Sequence, residues 1–521
     1  MSFNIPLQWY WCRYKTWRNR LDTKVLLSLW RDLILEGIKE AMKERKQQFK
    51  EKRKYYKKAI WNKILQVFWL RWKWIARLEV IRIWKKIPDK EVRHHVYVTW
   101  KTWAWKSALI EQRVYYQWWK SRKTKDRTII FLDPHGDSVE KIRKFDLAKK
   151  YFWRCVYIDP TLSKWNTPTI NPLQCWETNS LDIEIQANQL VMAIQEMIPD
   201  ARLTNFMKAI LKPVIYVLLS LHTCSLRDIQ DFMKAEEWER IEHGKRCKVE
   251  TYASFFRNER NNPMYLRSKQ SVYTKIQSLM NSQVFYHMTV GESTINLEQA
   301  MRSGKIILFN LSKWKIGEEI SETLGKFIIA QVKSFALQRA HLPIHLRTPI
   351  YLIIDEADTF IFKGESVDTV LKEARKFGLH LITITQNLVA GKWQASLKRN
   401  LMNNTNVKII SNNWLSTLKP LAQETGISLK DLQALNFHEF WIRYGAHIKK
   451  KIKTKEVFRG RSPLLLRRNE VTSMTHKMVK ETGYYKPILK PSSRPDWILD
   501  FPMNSQDQLY QEHYPKPKFS S

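Results

Sequence analysis

The chain has 521 residues, with 89 lysines and arginines against 50 acids, a formal charge of +39, five cysteines, and 14 glycines beside 23 tryptophans. The cysteines (Cys12, Cys155, Cys175, Cys224, Cys247) are scattered, odd in number and without a C-x-x-C pair, which argues against a disulfide framework or zinc site and suits a reducing cytoplasm. No basic-then-apolar leader opens the sequence, the longest charge-free apolar run (Pro213–Leu226) is too short for a bilayer span, and the charge favours an anionic partner, nucleic acid before an acidic membrane surface.

Residues 1–90 read as a basic, helix-leaning arm. Within it, Ala41–Ile60 (AMKERKQQFKEKRKYYKKAI) crowds lysine and arginine onto a helix, and a solvated face explains that run as well as contact with DNA or headgroups. Arg77–Ile83 (RLEVIRI) alternates as a strand does. From His95 the pattern becomes short apolar runs separated by helical stretches, the mark of an α/β fold with a mainly parallel sheet. The expected strands are His95–Thr99, Thr128–Leu132, Val156–Ile158, Lys305–Leu311, Ile350–Ile354, Leu381–Thr385 and Val407–Ile410. They fall in two parts, 91–180 and 301–455. Between them, 181–300 reads as an all-α insertion with helices over Leu190–Ile198 and Thr204–Leu219. Beyond about Glu456, residues 456–521 form a polar, proline-bearing tail expected to be loosely ordered.

After the first strand comes WKTWAWKS, residues Trp100, Lys101, Thr102, Trp103, Ala104, Trp105, Lys106 and Ser107. It matches the phosphate-binding loop G-x-x-x-x-G-K-[ST], with tryptophan at both glycine positions and a third at 103. Between a strand and a helix (Ala108–Tyr116), such a loop wraps phosphates with backbone N–H groups, at torsions and clearances that glycine allows and an indole does not. As written, the loop should not hold ATP. Composition suggests why. A soluble chain of this length carries roughly 36 glycines, about the number of glycines and tryptophans here taken together. The first 120 residues hold 14 tryptophans and one glycine, Gly37. We therefore read the gene as one in which UGA inserts glycine, rendered here as tryptophan. The alternative is that every tryptophan is genuine and the site is dead.

Three further constellations carry chemistry. Tyr351–Glu356 (YLIIDE) is an apolar strand ending in two acids. Beside a phosphate loop, Asp355 would hold Mg²⁺ and Glu356 would polarise the attacking water. Ala374–Asn387 (ARKFGLHLITITQN) ends a strand at Thr385–Gln386, where Gln386 could sense the γ-phosphate; the rival reading is a capped strand end. Arg375 could serve as an arginine finger toward a neighbouring subunit, although a solvated helix face explains it equally well. Ile129–Asp137 (IIFLDPHGD) runs a strand into a turn at Asp133, where ligands bind in open α/β sheets. His135 has no second histidine at ligand spacing and reads as a turn residue near the nucleotide, and His94–His95 as structural residues entering the first strand.

In this order, HHVYVTWKTWAWKSALI, IIFLDPHGDSVEKI, TINPLQ (Thr169–Gln174), GKIILFNLSKWKIGEE (Gly304–Glu319), IYLIIDEADTFI and ARKFGLHLITITQN resemble HerA–FtsK-type motor ATPases. The resemblance covers about residues 80–450 and is nearest the conjugative DNA-transfer (coupling protein) branch of type IV secretion systems. Trp314 falls where such proteins carry glycine, as Trp84 could, which supports recoding apart from the loop. The resemblance implies a RecA-like P-loop NTPase core, an inserted all-α domain, and a homo-hexamer moving DNA at the expense of ATP and Mg²⁺. It assigns Lys106 to the β/γ-phosphates, Ser107 and Asp355 to Mg²⁺, Glu356 to catalysis and Gln386 to sensing. Relaxase or membrane-embedded secretion components are the further partners implied, and the expected location is the cytoplasm or the inner face of the cell membrane. Two rivals remain: a secretion ATPase moving protein, and a non-catalytic basic nucleic-acid-binding protein if the tryptophans are genuine.

Overall fold

The computed structural model describes residues 87–100, 103–163, 166–174, 180–197, 203–221, 224–234, 238–361, 373–386, 395–435, 439–444, 447–453 and 468–488. Contacts divide the chain into Met1–Ala76 and Arg77–Ser521, and every described residue belongs to the second unit. The basic arm, apart from its last four residues, and the strand expected at Arg77–Ile83 lie outside the described residues.

All seven expected strands form: β1 Val96–Thr99, β2 Thr128–Asp133, β3 Cys155–Ile158, β5 Ile306–Asn310, β6 Ile350–Ile354, β7 Leu379–Thr385 and β8 Val407–Ser411. A short β4 (Asn166–Thr167) pairs apart from them with β11 (Lys486–Pro487). The main sheet has the order β10-β9-β8-β1-β7-β6-β2-β5-β3, where β9 is Glu439–Tyr444 and β10 is His447–Lys453. From β8 to β3 every pairing is parallel, and β9 and β10 add an antiparallel edge. This hairpin was not legible in the sequence, because HIKKKIK reads as a charged run rather than an alternation. Lysine-rich edge strands of that kind discourage pairing with another chain.

The apolar strands are buried along their whole length because helices cover both faces. Successive side chains alternate between two cores. Ile129 and Phe131 face one core with Val98, Ile353 and Ile384; Ile130 and Leu132 face the other with Leu352 and Ile354. Burial of each such side chain contributes about 1.5–3 kcal/mol.

The first core is roofed by α1 (Trp103–Lys120), through Leu109, Ile110, Val114 and Trp118, and by α2 (Asp137–Arg143), through Val139 and Ile142. The second runs into α3 (Ser180–Met197), α4 (Asn205–Ser220), α5 (Leu266–Met280) and α6 (Glu318–Gln338), with α3 packed on α6. Between β4 and β5 the described residues carry helices and no strand. The region expected to be a loosely ordered tail instead holds α7 (Arg468–Glu481), which buries Met474 and Met478, one turn apart, in the first core. Composition hid this helix, since two apolar residues among charges suffice once a core is there to receive them.

Candidate active site

A parallel sheet presents all its carboxyl ends at one edge, where ligands of open α/β folds bind. Here the strand of the tryptophan loop, β1, and the strand ending in two acids, β6, are separated by β7 alone. The sequence-predicted residues Trp100, Asp133, Asp355, Glu356 and Gln386 therefore gather at the carboxyl ends of β1, β2, β6 and β7.

Asp355 is 2 % exposed, and its amide donates to the Leu132 carbonyl at 3.1 Å, which ties the end of β6 to β2. One of its carboxylate oxygens accepts from the Glu356 amide at 2.8 Å. Glu356 has φ 44°, the left-handed region that a residue with a Cβ seldom occupies. Such strain clusters at functional sites and persists where surroundings over-determine it. The Glu356 carboxylate meets three side chains: Gln386 Nε2 donates to Oε1 at 2.8 Å, His135 Nε2 lies 2.7 Å from the same oxygen, and Lys313 Nζ lies 3.5 Å from Oε2. Gln386 thus faces the acid rather than merely capping its strand.

Asp133 is 1 % exposed and accepts from the amides of His135 (2.9 Å), Ser138 (2.9 Å) and Val139 (3.1 Å), so it holds the turn that opens α2. Burial first, and the negative charge of Asp355 second, push its carboxyl up to about 6. Two buried carboxylates at neighbouring strand ends make a site that favours a hard divalent cation, and Mg²⁺ takes one or two carboxylates with phosphate and water completing its shell. The acids fit Mg²⁺. Among the described residues no group of three or more ligating side chains converges, so an all-protein metal cage is absent.

On the loop side, the Trp100 amide donates to the Thr385 carbonyl at 3.3 Å, and the indole is buried at 1 % exposure, 5.8 Å from the Phe440 ring. Its Nε1 has no hydrogen-bond partner, and the same holds for Trp118 and Trp441. Lys101 and Thr102 lie outside the described residues. Trp103, Ala104, Trp105, Lys106 and Ser107 form the first turns of α1, with side chains outside the description. The start of that helix lies at the same edge as the acids, where its dipole favours an anion. Thr99 at the end of β1 and the backbone of Gln386 are bridged by Asn413, whose Nδ2 donates to Thr99 Oγ1 at 2.6 Å and to the Gln386 carbonyl at 2.8 Å.

Arg375 is not brought to this cluster. It precedes β7 at the opposite edge of the sheet, is exposed, and its guanidinium meets His94 Nδ1 at 2.7 Å. Burial and that guanidinium hold His94 below its ordinary value. Trp314 sits in the helical turn Lys313–Ile316 and is 77 % exposed. Sequence reasoning missed Lys313 and Asn413. Lys313 stands three residues and Asn413 two beyond a strand's carboxyl end, and that position is the signal that could have found them.

The fold is that of a RecA-like α/β core: a mostly parallel sheet, helices on both faces, and acids on a strand one removed from the strand of the tryptophan loop. Its likeness is to solved structures of conjugative coupling proteins. The plasmid coupling protein TrwB in complex with ADP and Mg²⁺ superposes with a TM-score of 0.52 at 12 % identity, over 74 % of this chain and 89 % of that one. The bacterial conjugative coupling protein TrwBdeltaN70, in its unbound monoclinic form, gives 0.51 at 13 % identity over 70 % and 86 %. No family model and no curated protein matches the chain. Among the described residues no helix is long and apolar enough to cross a membrane.

Proposed function

We propose that the chain is a motor ATPase of conjugative type IV secretion that translocates DNA. One observation carries this reading: Asp355, Glu356 and Gln386 converge at the sheet edge beside the loop strand, with Glu356 hydrogen-bonded to Gln386. The structural likeness to a coupling protein that binds ADP and Mg²⁺ supports it, as does a net charge of +39 suited to a phosphate backbone. In this reading Lys106 holds the β- and γ-phosphates, and Ser107 and Asp355 hold Mg²⁺, which when bound stabilises charge on the phosphoryl oxygens. Glu356 accepts the hydrogen bond of the attacking water, Gln386 contacts that carboxylate and reports the γ-phosphate, and Asp133 shapes the adjoining turn. The chain works as a homo-hexamer around DNA, at the inner face of the membrane beside a relaxase and secretion components.

The loop as written does not fit phosphates, so this reading includes glycine at 100, 103 and 105, inserted at UGA. The buried, unpartnered indole N–H of Trp100 supports that substitution, because leaving such a donor unsatisfied costs about 1–3 kcal/mol. The test is ATP hydrolysis by the full chain, with the residues its own cells insert, in the presence and absence of DNA. DNA-stimulated turnover is expected. Turnover indifferent to DNA would favour a protein-moving secretion ATPase, and DNA binding without saturable ATP binding would leave a non-catalytic binding protein.

A further inference from the structure

Donors from three strand ends close on one carboxylate from two sides. Gln386 approaches Glu356 from the loop side, since β7 lies between β1 and β6. His135, following β2, and Lys313, following β5, approach from the far side. Oε1 receives both Gln386 Nε2, at 2.8 Å, and His135 Nε2, at 2.7 Å; Oε2 faces Lys313 Nζ at 3.5 Å. The far-side pair is built as a unit. The His135 amide is held by Asp133 at 2.9 Å, and the Lys313 amide donates to the Pro134 carbonyl at 2.9 Å. Gly136, next in the turn, has φ 84°, and a Cβ there would lie 2.3 Å from Asn310 Oδ1, so this turn admits glycine alone. The His135 side chain is 16 % exposed and that of Glu356 9 %, which leaves little room for either to relocate.

We propose that His135 is a positioning residue for Glu356, with Lys313 fixing the second oxygen. This rests on the reading of Glu356 as the acid that engages the attacking water. A glutamate side chain has three rotatable bonds, and a carboxylate serves as base only while an oxygen stays within hydrogen-bond reach of its water. Gln386 alone would draw the carboxylate toward the phosphates. The opposing hydrogen bond from His135, charge-assisted and short, fixes its angle between the two sides. A carboxylate oxygen only accepts, so His135 Nε2 carries the proton and donates. His135 and Lys313 follow β2 and β5, on the side of β6 away from β1, so substrate affinity and carboxylate aim are separable.

The test is steady-state ATP hydrolysis by the full chain carrying H135A, H135Q, H135N, K313M or E356Q, with thermal denaturation of each. Glutamine reaches with its Nε2 to where imidazole Nε2 stands, and asparagine does not. H135A and H135N should lower kcat about tenfold or more, in the range general-base positioning commands, with the KM for ATP unchanged. H135Q should recover to within about threefold of the parent, and K313M should lose severalfold in kcat alone. Parental kcat in H135A, or equal loss in folded H135Q and H135N, overturns the inference while an inactive E356Q leaves the functional reading standing. If H135A does not fold, the H135Q and H135N pair decides alone. A parent without turnover, or E356Q with parental turnover, overturns the functional reading and this inference together.

Discussion

His380 lies in β7, 4 % exposed, with its ring 5.4 Å from that of Tyr351 and its Nδ1 2.7 Å from the Arg93 carbonyl. A carbonyl only accepts, so Nδ1 carries the proton. Burial, followed by the neighbouring His95, depresses the imidazole from 6.5 to about 3. His95 in turn accepts the Leu381 amide at Nδ1 (2.9 Å), which fixes it as the Nε2–H tautomer. The unfolded chain protonates His380 near 6.5 while the folded chain does not. Its contribution to stability is therefore full above that pH and is lost progressively as pH falls toward 3. At pH 5.5, one unit below the unfolded value, the loss is about 1 kcal/mol, and at pH 4.5 about 3 kcal/mol. His380→Asn keeps a donor for Arg93 and removes the titration. Urea denaturation of parent and variant at pH 7.5 and 5.5 reads the difference. The variant starts less stable, from the cavity, but its decline between the two pH values should be smaller than the parent's by about 1 kcal/mol. Equal declines would refute the claim that His380 stays neutral inside the sheet.

Two other substitutions follow from geometry. Gly136→Ala would place a Cβ 2.3 Å from Asn310 Oδ1 at φ 84°, and Asn310 holds Tyr157 and Asp159 at 2.9 Å each; a loss of about 2–4 kcal/mol in urea denaturation is expected. Asn413→Ala would unlink Thr99 from Gln386, with a stability loss of about 1–3 kcal/mol and a fall in ATP turnover at little-changed KM.

The parallel sheet was legible because its strands are buried on both faces and read as unbroken apolar runs, such as IYLII in β6 and IILFN in β5. The acids of the site were legible for the same reason: Asp355 and Glu356 end such a run abruptly. The edge hairpin and α7 were not, since an edge strand and a helix with one narrow apolar stripe are mostly polar in sequence. Lys313 and Asn413 stayed hidden because each matters through a contact from another strand end, a relation fixed by the order of the sheet and absent from local pattern. Arg375, expected to reach a neighbouring subunit's nucleotide, precedes β7, and seven residues of strand, on the order of 20 Å, separate it from this chain's own site.

Mass spectrometry of the peptide His94–Ser107, from protein made in its own cells, tests the account most directly. A functioning phosphate loop requires glycine at 100 and 105 and commonly carries it at 103 as well, and the predicted peptide has all three. A peptide with tryptophan at those positions would contradict the account, because no arrangement of Asp355, Glu356 and Gln386 hydrolyses a nucleotide that the loop cannot hold.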